Sequence, residues 1–152
     1  MRIPPLVCLI LALPGCANHA VQTTLCDMGP EFRTWQGSVV RLHAMLLAGG
    51  EEAPPMIVDT HCWRGIAADF SDTPDSAKIL NVPGRFNKFA QVTGRMRWGD
   101  GDRMWLHVTS TTDVRVGPPK SEAAEDAFFR RMVSEANAYF HPKGNPETRL
   151  AQ

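Results

Sequence analysis

In SVVRLHAMLLAG, Val40, Leu42, Ala44 and Leu46 fall on one face, with Val39, Arg41, His43 and Met45 on the other. A period of two sustained this long predicts a half-buried strand starting just after Gly37. Gly49-Gly50-Glu51-Glu52 breaks it, and Pro54-Pro55 delays the next element. Met56 to Asp59 and Ile66 to Phe70 read as two short strands around a turn, and Asp75 to Leu80 as one or two helical turns stopped by Pro83-Gly84. Two long alternating runs follow. One groups Ala90, Val92, Gly94, Met96 and Trp98; the other groups Leu106, Val108, Ser110, Thr112, Val114 and Val116. Gly99-Asp100-Gly101-Asp102 joins them as a hairpin, and Gly117-Pro118-Pro119 stops the sheet. The period then becomes helical. Ala124, Phe128, Met132, Val133, Ala136, Tyr139 and Phe140 form a stripe behind Ser121 as N-cap, with Glu122, Glu125 and Asp126 at the positive end of the helix. Such a stripe either covers the sheet or meets a membrane or partner.

These elements make the chain mainly β with α, and 152 residues suit one domain. A long first strand, two short ones, a helical connection and a long hairpin are similar to the OB-fold, a five-stranded Greek-key barrel. FNKFAQVTGRMRW and WLHVTSTTDV look like its last hairpin: aromatic residues precede a strand carrying Val92-Thr93-Gly94. A residue without a Cβ lets that strand bend sharply. The likeness spans residues ~37 to ~116. It implies a small OB-like barrel over 31–117, a C-terminal amphipathic helix over 121–141 packed on it, and a tail over 142–152.

The first twenty residues, MRIPPLVCLILALPGCANHA, have a basic start at Arg2 and an apolar run from Leu6 to Leu13. The run is far short of the ~20 residues that cross a bilayer, and Pro4, Pro5 and Pro14 spoil it as a core helix. It reads as a secretory signal. Leu13-Pro14-Gly15-Cys16 resembles the lipobox of bacterial lipoproteins, with Leu three residues before an obligatory Cys and a small residue just before it. Pro14 departs from the usual pattern. The resemblance implies a signal peptide over 1–15, lipidation of Cys16, and a tether over 16–30. With Ala17 rather than Asp after the Cys, it also implies the outer membrane of a Gram-negative cell, facing the periplasm. Fatty chains such as palmitate hold a protein at the membrane with ~0.8 kcal/mol per buried CH₂. The alternative is cleavage after Ala17, giving a soluble periplasmic or secreted protein. Cys8 leaves with the signal and Cys16 takes the lipid, so Cys26 and Cys62 remain. An oxidising compartment permits a disulfide between them; the competing reading is metal ligation with His61, which no C-x-x-C spacing supports.

Sixteen basic residues balance sixteen acidic ones, which argues against a nucleic-acid partner. A local patch remains open. If Leu106, Val108, Val114 and Val116 point inward, Trp105, His107 and Arg115 point outward, beside Arg95 and Arg97 on the preceding strand. That face offers cations for an anionic partner and an indole for stacking. The plainer alternative is a solvated sheet face with Trp105 and His107 partly under the C-terminal helix. No G-x-S-x-G, H-E-x-x-H, S-x-x-K or P-loop pattern occurs, and Asp100-x-Asp102 lacks the rest of a calcium loop. No catalytic residue, metal ligand or cofactor is assigned. The sequence therefore describes a lipid-anchored envelope protein, a non-enzymatic binding module for an envelope protein or a small envelope ligand such as a glycan. Two alternatives stand: a small His- or metal-dependent envelope enzyme, if the fold gathers His43, His61 or His107, and an OB-type single-stranded nucleic-acid binder.

Overall fold

A computed structural model describes residues 19–140 apart from 30, 52 and 100–102. The signal segment, Cys16, the centre of the β-hairpin turn and the 142–152 tail lie outside the described residues. Six strands form, β1 (Val21–Gln22), β2 (Val39–Leu47), β3 (Met56–Asp59), β4 (Arg64–Asp69), β5 (Lys88–Gly99) and β6 (Arg103–Val116). Helix α1 (Pro74–Ala77) runs into a 3₁₀ turn, and α2 spans Glu122–Phe140.

The last five strands close on themselves in the order β2, β3, β4, β6, β5 and back to β2. All contacts are antiparallel except β4 with β6, where Ala67, Ala68 and Asp69 lie beside Trp105, Leu106 and His107. This is the OB-like barrel expected from the element order. Closure removes the exposed edges that a five-stranded open sheet would present. Strand β2 serves two neighbours: residues 39–45 pair with β5 and 45–47 with β3. That leaves part of its edge for the short parallel β1, with Val21 beside Val40.

The alternation of β2 does what the pattern predicts. Val40, Leu42, Ala44 and Leu46 are buried in the barrel with Ile57, Ile66, Val92, Met96, Leu106 and Val108, while Arg41 and His43 face out. Leu25 and Met28, in the stretch expected to be tether, also enter this core. Arg64 fastens that stretch, its guanidinium donating to the carbonyls of Leu25 and Gly29 and lying over the Phe32 ring. The Cys26–Cys62 disulfide fastens it again, with Cα atoms 5.9 Å apart and 36 residues between them in sequence.

The last strand departs from the expected pattern. Ser110, Thr112, Val114 and Val116, assigned to the inner face, are exposed. The first of two register shifts between β5 and β6 turns Ser110 and Thr112 outward; the second returns Val114 and Val116 to the side of Lys88, and these two are exposed at the far end of the strand. Between Thr93 and Gly94 the partner advances from Ser110 to Val108, so Thr109 is an extra residue; a second shift follows near Asp113, whose φ is 51°. One inserted residue moves the side chains after it to the other face, and a second insertion moves them back. Only the 104–108 half of β6 feeds the core.

Helix α2 begins where predicted, with the Ala124 amide 3.4 Å from the Ser121 hydroxyl. Its apolar stripe is used sparingly. Phe128 and Met132 pack on a second small cluster outside the barrel, made by Met45, Val58 and Phe86 and flanked by Trp63. Glu135 accepts from Trp63 Nε1 and Glu125 from the Arg85 amide. Ala124 and Val133, predicted to be covered, are exposed. Under the same corner, Lys88 is buried with its Nζ donating to the Gly84 carbonyl. Burial pushes the Lys88 pKa below its ordinary value, against an opposing pull from Glu125.

Candidate functional site

The pairing of β4, β6 and β5 arranges two rows of side chains on the outer barrel surface. Ala67, Trp105 and Arg97 are cross-strand neighbours in one row; Asp69, His107 and Arg95 are neighbours in the next. Sequence alternation placed the two arginines, Trp105 and His107 on one face, and the register agrees. It adds Asp69, which no local pattern marked, because only the parallel β4–β6 contact brings it there.

At the barrel rim these rows open into a cleft of about 490 Å³. Pro54 and Pro55 wall it on one side, Trp98 and Gly99 on the other, and Phe70, Asp69, His107, Trp105 and Arg97 complete it. Trp98 belongs to both worlds, packing partly on the core while bordering the cleft. The indole of Trp105 rests on Gly99: a Cβ there would come within 2.5 Å of the indole Cδ1 and Nε1. The hairpin glycine is thus needed for close approach, not for turn conformation.

His107 is the most constrained polar group of the site. It is 7% exposed, with Nδ1 2.9 Å from Asp69 Oδ2 and Nε2 2.8 Å from Asp72 Oδ2. Ionised carboxylates only accept, so both contacts are satisfied when both ring nitrogens carry protons. Asp69 is held in turn by the Ser71 amide, which donates to Oδ1 at 2.9 Å. That backbone bond is the largest cause holding the Asp69 carboxyl below its ordinary range; burial opposes it, and the His107 contact adds to the lowering. His107 is therefore covered by the 69–72 loop and not by α2, which docks on the Met45–Phe86 corner.

The remaining members of the predicted face divide. Arg97 is exposed and Trp105 half-buried, and neither the guanidinium nor the indole N–H meets an acceptor among the described residues. Arg95 is spent on the fold, donating from Nη1 to the Gly37 carbonyl at 2.6 Å. Arg115 lies beyond both register shifts beside Phe89, away from the cleft. The three histidines are not gathered. His43 projects from β2 beside Gln91, and His61 is exposed next to Asp59. Among the described residues, the metal-competent grouping is Cys26, Asp59 and Cys62. Its two sulfurs are joined to each other, and buried Asp59 accepts from the Cys26 and His61 amides.

No protein-family model and no curated protein matches the sequence. Among solved structures, OBody AM3L15 bound to hen egg-white lysozyme is similar at a TM-score of 0.39 and 13% identity, over 57% of this chain and 87% of that one. A likeness so slight says nothing of what this chain binds.

Proposed function

We propose that this chain is a lipid-anchored protein of the bacterial envelope, held by acylated Cys16, whose barrel is a non-enzymatic binding module working through the rim cleft. The observation that carries the binding half is the pairing of two donors, Arg97 and Trp105 Nε1, that meet no acceptor among the described residues, in a concave and mostly apolar site. Few polar groups converging in a cleft of ~300–1,000 Å³ is the usual form of a small-molecule site. The cleft also lies between the loop after the first barrel strand and the last hairpin, where barrels of this type hold ligands. The disulfide supports an oxidising compartment. A histidine-based reaction finds no support at His107, because both its ring nitrogens are engaged by carboxylates. The partner is an envelope protein or glycan.

The test has two arms in a Gram-negative host. Mass spectrometry of the membrane fraction should find diacylglycerol on an amino-terminal Cys16, and Cys16→Ser should release the protein from that fraction. An uncut chain in the cytosol overturns the anchor. A photo-crosslinking residue at position 97 should capture an envelope component that the same residue at Thr112 does not. Identical products from both positions overturn the cleft.

A further inference from the structure

Resting on the cleft as a binding site, the geometry points to its ligand class: a saccharide carrying a carboxylate, the sugar ring on Trp105, the acid on Arg97 and ring hydroxyls donated to Asp69. Three features select this chemistry. First, Arg97 and Trp105 Nε1, donors that meet no acceptor among the described residues, sit side by side across β5 and β6. A guanidinium presents parallel N–H groups that match a carboxylate in a way an ammonium does not. Second, the acceptor on the other side of Trp105 is a carboxylate already faced by His107 and the Ser71 amide. Its position is fixed by those donors while lone pairs remain, so it can accept ring hydroxyls. Third, the surface between the donors and the acceptor is apolar and made of rings: Trp105, Trp98, Phe70, Pro54 and Pro55. Trp105 is braced from below by Gly99 and flanked on β4 by Ala67, which is too small to cover it. A pyranose has this complementary form, with an apolar C–H face for the indole and a rim of hydroxyls. An extended peptide has no comparable flat apolar face.

The experiment titrates the disulfide-bonded chain from residue 17 onward with three probes, following Trp indole N–H resonances by NMR. The probes are digalacturonate, the neutral digalactoside, and an acidic tripeptide of equal charge. Digalacturonate is expected to move the Trp105 resonance and to bind about tenfold or more tighter than the digalactoside. Arg97→Ala should erase that difference and leave the weaker neutral binding, while Arg97→Lys restores part of it. Trp105→Ala should weaken both sugars by about tenfold. Equal binding of acid and neutral sugar, or tighter binding of the tripeptide, overturns the inference and leaves the cleft a ligand site. If no probe shifts an indole resonance while the spectrum stays folded, both the inference and the binding site fall.

Discussion

Replacing Gly94 by Ala tests how this barrel closes. Gly94 is buried mid-way along β5, with Val40 of β2 on one side and Val108 of β6 on the other. A Cβ there would lie 2.6 Å from the His107 carbonyl oxygen and 2.9 Å from Leu106 Cγ. Ordinary C···O contacts begin near ~3.3 Å, so the strands must separate by about 0.7 Å at that point. The obstacle is backbone, and β2 blocks retreat on the far side. Overfilling a packed core costs ~1–3 kcal/mol. Against it stands a gain of ~0.4–1 kcal/mol from the stiffer unfolded chain, since the backbone at Gly94 is not left-handed. The net is a loss of about 1 kcal/mol. Urea unfolding followed by tryptophan fluorescence should show a lower midpoint at unchanged slope. Gly50→Ala is the control, because a Cβ there meets no atom within 4 Å; its change should stay within ~0.5 kcal/mol. If Gly94→Ala is as stable as the parent, close approach is not what keeps glycine at this bend.

Two further outcomes follow from the same structure. Replacing Cys26 and Cys62 together by Ser should cost roughly 3–4 kcal/mol on the chain-entropy account of a 36-residue loop, read as a lower urea midpoint that reductant no longer shifts; a loss under about 1 kcal/mol would refute that account. Asp69 is held below the ordinary carboxylate value of 3.8, so its contribution to stability is complete above that pH and fades as pH falls through the lowered value. Asp69→Asn should therefore be less stable than the parent at neutral pH and flatten the acid limb of the stability curve; an unchanged acid limb would show the Ser71 and His107 bonds to be idle.

Much of the architecture was legible along the chain because it rests on local periods. The alternation around Val40–Leu46 marked the inner face of β2, and the change from period two to helical spacing after Pro119 marked α2. Two lone cysteines, in a chain read as exported, pointed to the bond that the fold makes. Alternation alone put Arg97 and Trp105 on one outward face; that this face borders a cleft came from the fold.

What tertiary structure decided depends on pairing between distant segments. The inserted residue at Thr109 has no signature in a run of Thr and Ser, yet it reversed the faces of Ser110 to Thr112 until a second shift near Asp113 restored them. Asp69 and Asp72 became partners of His107 only because β4 runs parallel beside β6, across an intervening helix and strand. Leu25 and Met28 were drawn into the core by Arg64 and the disulfide, groups far along the chain. Side-chain direction within a strand follows from local backbone geometry and is written in the sequence. Register between strands is set by the summed packing and hydrogen bonding of the closed barrel, and no single segment carries it.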